Sequence, residues 1–130
     1  MAIIHELKTY AKGDGNLTVF ESILPGVIQR VFYIYEAGHS VRAGHRHKKA
    51  WNALICLRGT CRVYVHNGQT DISFRLNNPR QCLVLEPEDW HLMDEFSDDA
   101  ILLVVSNQLY DKDDYIYEPY AELSVMAASE

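Results

Sequence analysis

Apolar residues in this chain come in short runs, and in several of them apolar and polar positions alternate with a period of two. The stretch Arg62-Val63-Tyr64-Val65-His66 is one example and Asp71-Ile72-Ser73-Phe74 another. That period is the mark of a strand with one face on a core and one toward solvent. Runs rich in Val, Ile, Tyr, Phe and Leu, separated by Gly, Asn, Asp and Pro, predict strands over residues 17–22, 27–36, 42–47, 51–57, 60–66, 69–76, 81–85, 91–96 and 100–105. Between two of them lies Asn67-Gly68, which predicts a hairpin with a type I′ turn, since both central residues of that turn need positive φ. Arg58-Gly59-Thr60 predicts a second tight turn, and Pro79 and Pro87 mark two further loops. No sustained helical period occurs before residue 105. After it, Asp111-Lys112-Asp113-Asp114 reads as a turn, and the stretch following Pro119 predicts one short helix over residues 120–126. Hairpin-linked strands in this number fit an all-β jelly roll closed into a small barrel, whose interior can hold a ligand.

The bulk properties narrow the possibilities. A chain of 130 residues, 48% hydrophobic and 23% charged, suits a single domain over residues 1–130 with its own core. No apolar run approaches the roughly 20 residues that a membrane span needs, so no membrane partner is expected. The first residues, Met1-Ala2-Ile3-Ile4-His5-Glu6, lack the basic and apolar regions of a secretory signal. Cys56, Cys61 and Cys82 are odd in number and have no metal-type spacing, which fits reduced core thiols and a cytoplasmic location. The formal net charge of -6 argues against nucleic-acid binding, which needs a broad basic surface. Seven carboxylates and no cation between Glu86 and Asp99 read as a solubilising rim.

Against that acidic background one octet stands out. Arg42-Ala43-Gly44-His45-Arg46-His47-Lys48-Lys49 holds two of the six histidines and four of the twelve Lys and Arg residues. On a strand, His45 and His47 share a face. Paired imidazoles beside a basic cluster can move protons and hold an anion such as a diphosphate; a solvated turn is the plain alternative. Two chemistries compete for the rings. One is a metal centre: His45-x-His47 and His91 would supply three neutral ligands, but Asn52 stands where metal-binding barrels of this type carry a carboxylate, and the added positive charge repels a dication. The other is metal-free proton transfer, in which a histidine removes a proton made acidic by a neighbouring carbonyl and returns it one carbon away. His47 would be the base and His45 its partner. Tyr33 or Tyr35, which share a parity, would donate to the developing oxyanion, although strand tyrosines more often pack. His91 would add a second acid or a substrate contact. No P-loop, Gly-x-Ser-x-Gly or dinucleotide motif is present, so acyl transfer, NTP hydrolysis and nicotinamide chemistry lack support.

Over nearly its whole length the sequence resembles the dTDP-sugar 3,4-ketoisomerases, the WxcM-like cupins of deoxysugar pathways. The resemblance is carried by Arg30-Val31-Phe32-Tyr33-Ile34-Tyr35, Gly44-His45-Arg46-His47-Lys48-Lys49, Leu54-Ile55-Cys56-Leu57-Arg58-Gly59, Trp90-His91-Leu92-Met93-Asp94-Glu95-Phe96-Ser97 and Tyr110-Asp111-Lys112-Asp113-Asp114-Tyr115-Ile116. It implies a cupin jelly roll without cofactor or metal, and a homodimer that exchanges N-terminal strands. It also implies conversion of dTDP-4-keto-6-deoxy-glucose to a 3-keto isomer through an enediol. By position, His47 matches the base at carbon 3, His45 and Tyr33 the supporting groups, and His91 a position tied to the configuration at carbon 4, where histidine accompanies the galacto product. Arg42 and Lys48 are our candidates for the diphosphate, with Asn52 and Tyr35 as further substrate contacts. The chain departs from the family pattern at Asn52, at Arg46 and at Asp14, where members carry Arg or Tyr. Two other readings remain: a non-catalytic sugar-nucleotide-binding cupin, and a metal-dependent one using His45, His47 and His91.

Overall fold

In a computed structural model, which describes residues 1–121, the chain forms twelve short strands. They are β1 (Ile3–Glu6), β2 (Thr9–Ala11), β3 (Asn16–Thr18), β4 (Arg30–Tyr35), β5 (Arg42–His47), β6 (Asn52–Arg58), β7 (Cys61–His66), β8 (Asp71–Leu76), β9 (Gln81–Leu85), β10 (Trp90–Asp94), β11 (Ile101–Ser106) and β12 (Tyr115–Ile116). Two antiparallel five-stranded sheets result, in the orders β1-β9-β6-β11-β4 and β12-β5-β10-β7-β8, while β2 and β3 pair apart from both. Their inner faces share one core: Leu54, Leu83, Leu102 and Val104 from the first sheet meet Cys61, Val63, Val65 and Met93 from the second. This is the expected jelly roll.

Burial explains which runs alternate and which do not. In β7, Cys61, Val63 and Val65 are fully buried while Arg62 and Tyr64 face outward, so the period of two survives in the sequence. In β6 every residue from Asn52 to Cys56 is buried. Leu54 and Cys56 enter the shared core; Ala53 and Ile55 lie beneath Phe20, Ile23 and Leu24, an irregular segment that covers the outer face of the first sheet. Covered on both faces, the strand is apolar without interruption from Ala53 to Cys56, and the alternation is lost there.

Several expectations need correcting. The strand predicted over 17–22 shrinks to Asn16–Thr18, because the residues after it become that covering segment. The one predicted over 27–36 begins only at Arg30. Asn67-Gly68 does not make a two-residue type I′ turn. His66 pairs with Asp71 across four residues, and Asn67 uses its side chain instead, its Oδ1 accepting from the N–H of Gln69 and Thr70, each at 2.9 Å. Asparagine caps a turn in this way without adopting positive φ. The helix predicted over 120–126 falls almost wholly outside the described residues. The helical turn that is described, the 3-10 turn Lys112–Asp114, lies earlier and is capped by Asp111, whose side chain accepts from the Asp113 N–H.

At Arg58-Gly59-Thr60 the tight turn is present and sterically required. Gly59 has φ +70, and a Cβ there would lie 2.3 Å from Ser97 Oγ, 2.5 Å from Asp99 Oδ1 and 2.9 Å from Ala100 Cα. Ser97 Oγ is already committed as acceptor from the Thr60 N–H. Gly59→Ala is therefore expected to destabilise the fold by about 2 kcal/mol or more, from left-handed strain plus collision. Urea denaturation reads this directly, and a loss below about 0.5 kcal/mol would contradict the packing.

Candidate active site

Strand β5 carries the octet, and its irregularity decides which side chains meet. His91 pairs with His45 but Leu92 pairs with Ala43, so Gly44 is an extra residue opposite the step between them. Both bulge residues have positive φ, Ala43 at 67 and Gly44 at 82. The extra residue shifts the parity of the strand. Arg42, paired with the inward-facing Met93, thereby joins His45 and His47 on the cavity face although it is three residues from His45. Holding Ala43 in the left-handed region costs about 1 kcal/mol, a strain of the kind that accompanies functional sites.

The rings line a cleft of about 730 Å³, partly open to solvent, whose walls include Arg30, Phe32, Asn52, His91, Met93 and Tyr115. Ring centroids are 4.9 Å apart for His45 and His47 and 5.0 Å for His45 and His91, and the Tyr115 ring lies 4.6 Å from His45 and 4.7 Å from His47. His47 is 7% and His91 2% exposed, so both are held out of water.

Each buried ring has one nitrogen fixed. His47 Nδ1 lies 2.8 Å from Asp114 Oδ2 and His91 Nδ1 lies 2.9 Å from the Asp89 carbonyl. A carboxylate and a carbonyl oxygen only accept, so in the neutral rings both Nδ1 atoms carry the proton and both Nε2 atoms carry a lone pair. Asp114 is itself held: its Oδ1 accepts from the backbone N–H of Lys49 at 2.7 Å and of Lys48 at 3.2 Å. Burial disfavours the imidazolium throughout. It drives His45 down to about 3, with His91 and His47 adding to the effect, and His91 down to about 4. His47 is lowered as well, chiefly by burial, while the Asp114 hydrogen bond and charge pull the other way. At neutral pH the cleft thus presents neutral rings, of which His47 has the carboxylate partner that steadies an imidazolium once formed.

Not every expected residue is in place. His45, His47, His91, Arg42 and Asn52 line the cleft. Tyr33 and Tyr35 do not. They are 62% and 57% exposed on the outer face of β4, while Phe32 and Ile34, of the opposite parity, face the cavity. The two tyrosines share a side, as expected, but it is the wrong one for an oxyanion donor in the same chain. Lys48 lies outside the main cleft, in a neighbouring groove with Lys49, Asp111 and Asp113. Asp14 sits in the exposed connection between β2 and β3 and does not reach the cleft. Arg30, Asp114 and Tyr115 also line the cleft, and no spacing or motif in the sequence singles them out. Their only trace was membership of the stretches that carry the resemblance, since one more acid in an acidic turn has no distinguishing pattern.

The ligating nitrogens of His45, His47 and His91 lie within 4.8 Å of one another, close enough to share a cation. The donor set fits one poorly: Asn52 contributes an amide, Asp114 is engaged by His47 and two N–H groups, and the guanidiniums of Arg30 and Arg42 share the walls.

The chain matches the family model described as FdtA, WxcM-like, C-terminal, over residues 2–127. The chain belongs to this family. A curated relative, the TDP-4-oxo-6-deoxy-alpha-D-glucose-3,4-oxoisomerase of Aneurinibacillus thermoaerophilus, is 38% identical over 105 residues, covering 78% of this chain and 76% of the relative. Among solved structures, WlaRA from Campylobacter jejuni, a TDP-fucose-3,4-ketoisomerase, superposes with a TM-score of 0.84 at 33% identity, covering 90% of this chain and 89% of that one. QdtA, a sugar 3,4-ketoisomerase from Thermoanaerobacterium thermosaccharolyticum solved with TDP, gives 0.85 at 30% identity over 98% of this chain and 94% of its own.

The ring environments make a spectroscopic prediction. In a histidine NMR titration, His91 should stay neutral down to about pH 4 and His45 lower still, and His47 should titrate below 6.5. Asp114→Asn removes the partner that favours the imidazolium, so the His47 midpoint should fall further; a midpoint that rises would contradict the pairing.

Proposed function

We propose that this protein is an isomerase that converts dTDP-4-keto-6-deoxy-glucose to the dTDP-linked 3-keto sugar by moving a proton between carbon 3 and carbon 4. The observation that carries the proposal is the 2.8 Å contact of His47 Nδ1 with buried Asp114, which leaves Nε2 as a bare base facing the cleft. His47 takes the proton from carbon 3, whose acidity comes from the adjacent carbonyl, and delivers it to carbon 4 of the enediol. The chemistry is a tautomerisation and needs no redox cofactor. Its relatives support it: the Aneurinibacillus relative is a 3,4-oxoisomerase, and a histidine-to-asparagine variant of QdtA was solved with TDP-4-keto-6-deoxyglucose.

Arg42, exposed at the mouth of the cleft, and Arg30 within it supply the positive charge that suits a diphosphate, with Asn52 a polar contact for the sugar. Lys48 serves at most the outer end of the ligand. We assign the galacto-configured product, because buried His91 presents Nε2 to the cleft beside His47, at the position where the resemblance ties histidine to that configuration. Three free, buried thiols fit a reducing cytoplasm, and no helix among the described residues is long and apolar enough to cross a membrane.

We also propose a homodimer with exchanged N-terminal strands. In support, β4 is the edge of its sheet, its outer face exposes Val31, Tyr33 and Tyr35, and the pair β2–β3 joins neither sheet of its own chain. Contiguous exposed apolar surface on an unpaired edge calls for a partner. This gives Tyr33 and Tyr35 an interfacial role. Light scattering should report a dimer, and Tyr33→Asp should shift it toward monomer; a monomeric wild type would overturn the exchange.

Incubation with dTDP-4-keto-6-deoxy-glucose and an aminotransferase specific for the 3-keto product, with NMR of the trapped aminosugar, tests activity and configuration together. His47→Asn should lower kcat by about 10² to 10⁴-fold while TDP affinity changes little, because a general base acts in the transition state. Turnover within a few-fold of wild type would remove His47 from its role. The same assay in EDTA addresses the second reading, a metal centre on the three clustered rings: unchanged rates are expected, and a loss restored by metal would favour it.

A further inference from the structure

His47 and His91 stand on neighbouring strands, and one short turn, Glu86-Pro87-Glu88-Asp89, holds both. The ladder between β5 and β10 ends at the pair His45–His91. Beyond it the His47 N–H donates to the turn, to the Pro87 carbonyl at 2.8 Å. The Asp89 carbonyl takes the His91 Nδ1 proton at 2.9 Å, and the Glu88 carbonyl takes the Tyr120 hydroxyl at 2.5 Å. The remaining carbonyl, that of Glu86, accepts from the Asp89 N–H at 3.0 Å. Every carbonyl of the turn is thus committed, one of them to the backbone of His47 and one to the ring of His91.

Carbonyl directions follow φ and ψ, so whatever sets the turn sets these contacts. Pro87 fixes one dihedral, at the second position, where turns favour proline. The other constraint is the Asp89 side chain. Its Oδ2 accepts from the Glu86 N–H at 2.9 Å, a second link across the turn beside the backbone one. That side chain is 0% exposed, and among the described residues its Oδ1 has no hydrogen-bond partner, the Met1 ammonium being 3.9 Å away. A carboxylate kept from water with one oxygen unmatched is destabilising in itself and calls for an explanation. The turn that it closes supplies one.

We propose that Asp89 is a positioning residue for the two imidazoles: by closing the 86–89 turn, its carboxylate aims the carbonyls that fix the His47 backbone and the His91 ring. The inference rests on the isomerase reading above and deepens it. His47 is held from two sides, by Asp114 at Nδ1 and by Pro87 at the main chain. His91 owes its tautomer to the turn, because a carbonyl only accepts and so keeps the proton on Nδ1. An opened turn would free the His91 ring to rotate and would shift His47 against the sugar. A displacement of about 1 Å at reacting groups lowers a rate by about 10²-fold. What matters at Asp89 is the acceptor and not the charge, since the Glu86 N–H needs only an oxygen.

Asp89→Ala removes the acceptor, whereas Asp89→Asn keeps one and removes the charge. In the alanine variant kcat should fall about 10 to 10²-fold with TDP affinity within about three-fold, since Arg30 and Arg42 lie on other strands. In nitrogen–proton NMR spectra its His91 Nδ1–H signal should broaden or vanish. Asparagine should restore both kcat and signal to near wild type. Pro87→Gly frees the turn without touching a buried charge; it should lower kcat about three- to ten-fold and broaden the same signal. It decides the matter should Asp89→Ala fail to fold. Wild-type kcat in the alanine or glycine variant overturns the inference, as does a sharp His91 signal despite lost turnover. TDP affinity lost in step with kcat, or an asparagine variant as impaired as the alanine one, overturns it too. The NMR arm needs no substrate, so wild-type protein that leaves the keto sugar unchanged removes the isomerase reading while the hold of the turn on His91 is still read.

Discussion

A carboxylate placed behind a histidine from 67 residues away organises this molecule. Burying Asp114 is costly unless its oxygens are matched, and here Oδ2 faces His47 while Oδ1 takes two backbone N–H groups at the end of β5. The same contacts staple the segment after the 3-10 turn to β5, where Tyr115 and Ile116 add a short strand opposite His47 and Arg46. Further along, the Trp90 indole N–H donates to the Tyr117 carbonyl at 3.1 Å, the Tyr120 hydroxyl donates to the Glu88 carbonyl at 2.5 Å, and Arg46 lies over the Tyr120 ring. One strap thus closes the wall of the cleft, orients the His47 ring and brings Tyr115 against it.

The cleft depends equally on a local defect in β5. A regular strand would direct Ala43, His45 and His47 inward and turn Arg42 to the outside. The bulge at Gly44 brings the guanidinium round to the imidazoles, where an anionic ligand can meet both. The two arginines give an acidic protein a local basic mouth, and the neutral rings behind it add no charge to repel a proton in transit. On the isomerase reading proposed above, attraction is concentrated at the mouth that would meet the diphosphate, and basicity deeper in, at the imidazoles.

Much of this was legible in the sequence. The strand repertoire followed from period-two alternation, and the shared face of His45 and His47 followed from their spacing. The jelly roll followed from the number and linkage of those strands, and the tie of His91 to the configuration at carbon 4 came with the resemblance that Trp90-His91 and the octet carry. The errors share a physical origin. Tyr33 and Tyr35 were correctly placed on one face, but parity within a strand does not say which face looks inward. The Asn67 turn departs from type I′ because a side-chain cap competes with the backbone geometry that Asn-Gly suggests. The strand predicted over 17–22 is shorter because apolar residues that cover a sheet look, locally, like residues that belong to one.

What the sequence by itself determined was local: alternation, turn positions, the glycine that Arg58-Gly59-Thr60 requires, and a histidine pair beside a basic cluster. Each depends on neighbours a few residues apart, where backbone geometry alone relates the side chains. The choice of inner face, the parity shift at Gly44 and the union of His47 with Asp114, Tyr115 and Arg30 were decided by tertiary structure. Those depend on strand pairings and burial between segments far apart along the chain, and only the folded sheets bring such partners within hydrogen-bonding reach.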